Sequence, residues 1–208
     1  MPTESASIPC YLQARDLCGE RAERTLFRAL DISLNAGQGL RIAGHNGSGK
    51  TTLLRGLLGL TVHLEGQIQW LGPHRPLFIG HRAGVSGQLN VLENLHFLAQ
   101  LHDCSTDLQH LNQALERVGL AGYADTLAQQ LSAGQQRRVM LALLYLPQPL
   151  RCWVLDEPFT ALDQATVHGL ELHLNAHCAR GGAVLLTSHQ LPQVWQHTTL
   201  DLTAEQAA

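Results

Sequence analysis

The eight residues Gly44-His45-Asn46-Gly47-Ser48-Gly49-Lys50-Thr51 follow the spacing G-x-x-x-x-G-K-[ST], with a second threonine, Thr52, directly behind. Glycines at these positions let backbone N–H groups turn toward an anion without obstruction by a Cβ. The lysine ammonium then reaches β- and γ-phosphates, and the Thr51 hydroxyl is placed for Mg²⁺. The plainer alternative is a glycine turn that only caps a helix. The strand pattern before the loop and the helix pattern after it favour the phosphate site. Lys50 is the single lysine; the other 13 of the 14 basic residues are arginine.

A second stretch able to do chemistry is Cys152-Trp153-Val154-Leu155-Asp156-Glu157, an apolar run that ends in two acids. An aspartate at a strand end can hold the Mg²⁺ shell, and a glutamate beside it can orient or deprotonate an attacking water. Apolar strands often end in solvated acids, so this stretch takes its meaning from the phosphate loop upstream. Together the two predict binding and hydrolysis of ATP with Mg²⁺, Lys50 and Glu157 being catalytic and Thr51 and Asp156 holding the metal.

Between them lies Leu131-Ser132-Ala133-Gly134-Gln135, in which Ser132 and Gln135 form an S-x-x-Q capping box at the head of a helix expected over 136–145. A capped helix start is also an anion site, and Ser132 and Gly134 offer a hydroxyl and an unshielded N–H. Here the chain resembles the ABC ATPase family, whose signature is usually written LSGGQ. The resemblance covers nearly the whole chain in the family's order. It implies that the signature of one protomer, with Ser132, Gly134 and Gln135, closes on the γ-phosphate held by the other. A second copy of the ATPase is therefore an expected partner. Phe159-Thr160-Ala161-Leu162-Asp163 matches the D-loop that lines this interface, and Thr187-Ser188-His189 matches the switch, which makes His189 a catalytic candidate.

Two positions depart from the family. Where a glutamine usually touches Mg²⁺, the register places His81, whose neutral imidazole can accept from a metal-bound water. Where an aromatic residue usually stacks on adenine, Arg21 stands, and either a guanidinium stacked on the base or a solvated surface charge fits. Those departures, with Leu92-Glu93-Asn94-Leu95-His96-Phe97 and Leu131-Ser132-Ala133-Gly134-Gln135-Gln136-Arg137-Arg138, look like the cytochrome c biogenesis subfamily of haem exporter ATPases. That resemblance implies a CcmB-like integral membrane subunit and a peripheral place on the cytoplasmic face of the inner membrane. A motor for a generic small-solute transporter is the alternative. The 12 histidines invite thought of haem, but His173 and His177, four residues apart, read as solvated helix positions.

Positioning these groups calls for alternating strands and helices. Strands are expected at 11–17, 32–34, 39–43, 67–71, 152–155 and 183–187, and helices at 52–60 and 164–179. From 84 to 146 the periodicity is helical, with Leu92, Leu95, Leu98 and Leu101 on one face and Leu108, Leu111 and Leu115 on the next segment. The expected fold is α/β, a P-loop NTPase with a mainly parallel sheet, N-terminal antiparallel β segments and an inserted helical subdomain over 84–146. At 208 residues it reads as a single domain, 1–208.

A net charge of −3 without basic clusters argues against a nucleic-acid partner, and against ABC-type ATPases of DNA or ribosomes. The longest apolar run, residues 139–146, falls short of the ~18 to 20 residues needed to cross a bilayer. The first residues lack a signal-peptide pattern. Five cysteines without C-x-x-C spacing read as reduced packing residues rather than a disulfide or zinc framework.

Overall fold

A computed structural model describes residues 9–21, 24–61, 64–81 and 84–203. These residues form eight strands and five α-helices, three of the helices following one another between Ile79 and Cys152. Strands β3 (Gly39–Ala43), β5 (Leu77–Ile79), β6 (Cys152–Asp156), β7 (Ala183–Thr187) and β8 (Thr198–Asp201) form one sheet in the order β5-β6-β7-β3-β8. Every pairing in it is parallel. A second sheet, β2-β1-β4, is antiparallel and consists of β1 (Cys10–Arg21), β2 (Arg24–Asn35) and β4 (Leu64–Trp70).

The sequences of β6 and β7 explain the layering. Both are apolar up to their last residue, Asp156 and Thr187, and buried along their whole length, as strands covered on two faces must be. In β6, Cys152 and Val154 join an apolar cluster with the antiparallel strands and α1 (Lys50–Leu57). Trp153 and Leu155 point the other way, into a cluster with the helices. In β7, Ala183 and Leu185 take the first side and Val184 and Leu186 the second. This period-two alternation inside a continuous apolar run places the sheet between two cores.

The helices of the second core each start on a side-chain cap. Asn90 and Glu93 form a reciprocal capping box for α2 (Val91–Leu101), Asp107 caps α3 (Leu108–Arg117), and Asp163 caps α5 (Gln164–Ala179). Helix α4 (Ala133–Ala142) carries the predicted Ser132–Gln135 box and passes into a 3₁₀ turn, Leu143–Tyr145. The helices of 84–146 share one apolar cluster with Leu77, Ile79, Trp153 and Val184 of the sheet.

Several details differ from the sequence reading. Helix α1 ends at Leu57, short of residue 60, because residues 58–60 turn away through Gly59 at φ +68°. Leu95 and Leu98 are buried as expected, whereas Leu101 and Leu108 are 65% and 62% exposed, flanking the connection between α2 and α3. Strand β8 has no apolar alternation, since it lies at the sheet edge and its residues are largely exposed.

His173 and His177 are not solvated. The ring of His177 stacks on Trp153 at 3.5 Å and that of His173 on Tyr145 at 4.0 Å, their Nε2 atoms meeting the Arg151 and Leu144 carbonyls. Helix α5 packs against the sheet, and the aromatic partners come from outside it, so helical spacing could not reveal this burial. All five cysteines are free, and burial raises the thiols of Cys104 and Cys178 to about 11.

Candidate active site at the phosphate loop

In a parallel sheet every strand delivers its carboxyl end to the same edge, and the chemistry-bearing residues follow those ends. The phosphate loop follows β3, His81 follows β5, Asp156 and Glu157 end β6, and Thr187 to His189 end β7. Residues more than 100 positions apart thereby meet. A groove of about 260 Å³ is lined by Asn46, Gly47, Gly49, Lys50, Thr51, Thr52, Leu26, His81, Glu157 and His189.

The loop is shaped as the glycine spacing requires. Gly44, Gly47 and Gly49 adopt φ of +142°, +83° and +101°, and a Cβ built on Gly47 would meet nothing within 4 Å. The backbone there is open to a ligand. Gly49 is also the N-cap of α1 and supplies no side-chain acceptor to its first N–H groups, which suits an anion. Lys50 is buried, and its Nζ donates to the carbonyls of Gly44 at 2.8 Å and His45 at 3.1 Å. Burial lowers its pKa, an effect opposed by Glu157 and Asp156 and reinforced by Arg41. His45 stays at the rim, its Nδ1 2.8 Å from the Asn46 carbonyl oxygen. Ser48 is fully buried with no partner for its hydroxyl among the described residues.

Thr51 and Asp156 come together. The Thr51 hydroxyl lies 3.2 Å from both carboxylate oxygens of the buried Asp156. A hydroxyl beside a carboxylate is an all-oxygen donor set of the kind Mg²⁺ prefers, so these residues fit that ion. His81 lines the same groove with an exposed side chain, and its carbonyl accepts from Arg137 at 2.8 Å.

Glu157 and His189 form the second pair. The His189 backbone N–H donates to Glu157 Oε2 at 3.2 Å, and His189 Nε2 lies 3.4 Å from Oε1 without hydrogen-bond geometry. Glu157 Oε1 is therefore a buried acceptor without a hydrogen-bond donor among the described residues, at the wall of the groove. Glu157 holds φ at +53°, an unusual state for a residue with a side chain and one that clusters at functional sites.

Sequence reasoning assigned no role to Thr187 or Arg137. The Thr187 hydroxyl donates to Asp156 Oδ1 at 2.7 Å and accepts the Glu157 N–H at 2.9 Å. It thus fixes both acids from β7, the strand lying between β6 and β3. The motif Thr187-Ser188-His189 drew attention to its histidine, while the threonine reads as the last residue of a buried strand.

Ser132, Gly134 and Gln135 do not line this groove. The Ser132 Oγ accepts from Gln135 N–H and Gln135 Oε1 from Ser132 N–H, as the capping box predicts. Arg21 closes β1, but its side chain lies outside the described residues.

Comparison with known proteins agrees with this geometry. Residues 27–160 match the family model of the ABC transporter. The chain is 48% identical over 190 residues to the cytochrome c biogenesis ATP-binding export protein CcmA of Pseudomonas syringae pv. syringae, covering 86% of this chain and 88% of the relative. CcmA 1 of Salmonella typhimurium is also 48% identical, over 86% of this chain and 89% of its own length. Among solved structures, a putative ABC transporter ATP-binding protein from Pyrococcus furiosus superposes with a TM-score of 0.79 at 24% identity, covering 93% of this chain and 98% of the other. An ATP-binding subunit of an ABC transporter gives 0.74 at 23% identity, over 87% and 80%. These two likenesses are of fold. With the phosphate loop, the paired acids and the relatives in agreement, the chain belongs to the ABC transporter family as an ATP-binding, ATP-hydrolysing subunit homologous to the CcmA proteins.

Proposed function

We propose that this chain is the motor of a membrane export complex for cytochrome c maturation, working as two identical copies beneath a CcmB-like membrane subunit. In this reading residues 1–208 form one ATPase domain, with 84–146 as its helical insert, peripheral to the cytoplasmic face of the inner membrane. Among the described residues no helix is long and apolar enough to cross a membrane, so another subunit does the spanning.

The observation that carries the hydrolytic half is the buried, donorless Glu157 Oε1 beside the phosphate groove. A water bound between the γ-phosphate and this oxygen supplies the missing donor, and the carboxylate orients it in line and takes its proton. His189 stands next to the same oxygen and holds the carboxylate through its backbone N–H. Lys50 exchanges its two loop carbonyls for phosphate oxygens. Mg²⁺, held by Thr51 and Asp156 with His81 on its water shell, would neutralise charge on the β- and γ-phosphates. Ser132, Gly134 and Gln135, which do not line their own chain's groove, close over the γ-phosphate of the partner's nucleotide.

The cargo half rests on the 48% identity to proteins named for cytochrome c biogenesis export. Its test is haem staining of membrane proteins from a strain carrying Lys50→Ala or Glu157→Gln. Loss of haem from c-type cytochromes, with b-type cytochromes unaffected, is expected. Normal c-type cytochromes in both strains would overturn the maturation role.

A further inference from the structure

Arg137 is a buried cation on α4, five residues beyond Ser132 and 5% exposed. Its Nη1 donates to the carbonyls of Gly80 and His81, and its Nη2 to those of Asp156 and Glu157. These four acceptors belong to two strand ends. Strands β5 and β6 pair in parallel up to Ile79 and Leu155, and there their shared ladder stops. Beyond it the guanidinium takes the place of the missing ladder, one nitrogen serving each strand.

Burying a cation is costly unless its donors are satisfied. Both Nη atoms of Arg137 are bonded while its buried Nε has no partner among the described residues, and an apolar side chain would fill this space without that cost. A planar fork is the arrangement that can serve two diverging backbones at once; a lysine ammonium is a single point. The fork binds carbonyls and leaves the carboxylates of Asp156 and Glu157 to Thr51, Thr187 and His189. It also grips the carbonyl of Glu157, the residue held at φ +53°.

We propose that Arg137 is a positioning residue for ATP hydrolysis: its fork sets the spacing between the His81 loop and the Asp156–Glu157 turn, and ties both to the helix that starts at Ser132. The same helix meets the D-loop through the partly exposed ion pair of Arg138 with Asp163 at 2.7 Å, and packs closely on it at Gly134, where a Cβ would come within 3.0 Å of the Ala161 carbonyl oxygen. Movement of the signature helix is thus transmitted to the hydrolytic residues of its own chain. Resting on the two-copy motor proposed above, this makes ATP held by one copy and touched by the other's Ser132 and Gly134 a control on hydrolysis in that other copy.

The experiment compares the intact membrane complex carrying wild-type chain, Glu157→Gln, Arg137→Lys or Arg137→Ala. It measures ATPase kcat and KM, binding of a fluorescent ATP analogue, and the melting temperature of each chain. Both Arg137 variants are expected to bind the analogue within about twofold of wild type while kcat falls about tenfold or more, a loss of about 1.4 kcal/mol in transition-state stabilisation. Guanidinium ion at millimolar concentration should restore turnover to Arg137→Ala, and equal ammonium should not. Affinity, kcat and melting temperature falling together without rescue would overturn the positioning role and leave a structural one. Wild-type turnover in Arg137→Ala beside an inactive Glu157→Gln would overturn it while leaving the motor intact. A Glu157→Gln complex as active as wild type would sink the hydrolytic reading and this inference with it.

Discussion

Thr187→Val exchanges a hydroxyl for a methyl at nearly constant shape, and two hydrogen bonds at the centre of the site depend on that hydroxyl. Thr187 is fully buried, so water cannot take over. The bond to the Asp156 carboxylate, 2.7 Å long, is charge-assisted, a class contributing about 1.5–3 kcal/mol. The Glu157 N–H, donating to the same hydroxyl at 2.9 Å, would be left without its acceptor, at about 1–3 kcal/mol. Allowing for partial relaxation, the substitution should cost about 4 kcal/mol, which for a chain of this size lowers the melting temperature by about 8–16 °C. Thr187→Ser keeps both bonds and should stay within about 1 kcal/mol of wild type, the value of one buried methyl. Thermal unfolding of the three chains is the assay, with ATPase rates measured well below the transition. A valine variant melting with wild type and hydrolysing ATP at the wild-type rate would refute the claim that Thr187 holds the two acids.

Desolvation, aided by the nearby Arg180, lowers the pKa of His177 to about 4 against the Arg151 carbonyl that opposes it. The neutral ring is what the fold accepts, so stability is complete above the unfolded pKa of about 6.5 and is lost as pH falls toward 4. Wild type should therefore lose about 3 kcal/mol more than His177→Phe between pH 7 and pH 4, as read from urea unfolding. Equal losses in the two chains would show that His177 protonates freely in the folded state. His81 lines the phosphate groove, so His81→Ala should impair turnover more than His81→Gln, whose amide can still accept from a metal-bound water. Matching, near-normal ATPase rates in both variants would remove His81 from the site.

Much of the site was legible in the residues alone, because its motifs are local. A phosphate loop works through consecutive backbone N–H groups, so its spacing is written in the chain between Gly44 and Thr51. The Ser132–Gln135 box is likewise a four-residue device, and it folds as its spacing predicts. Continuous apolar runs marked β6 and β7 as strands covered on both faces, and from such strands a parallel sheet with its site at one edge follows.

What the sequence could not show are the contacts made across the ends of several strands. Thr187 joins Asp156 because β7 lies beside β6, and strand order is not a property of any one segment. Arg137 reads only as part of the stretch that resembles one subfamily until α4 packs its guanidinium between the ends of β5 and β6. His173 and His177 look solvated until Tyr145 and Trp153 close over them. Local spacing determined which groups this chain brings to the chemistry, since backbone loops and caps are built from neighbours. Tertiary packing alone decided which side chains hold those groups in place, since a buried hydrogen bond between distant residues leaves no periodic trace in the sequence.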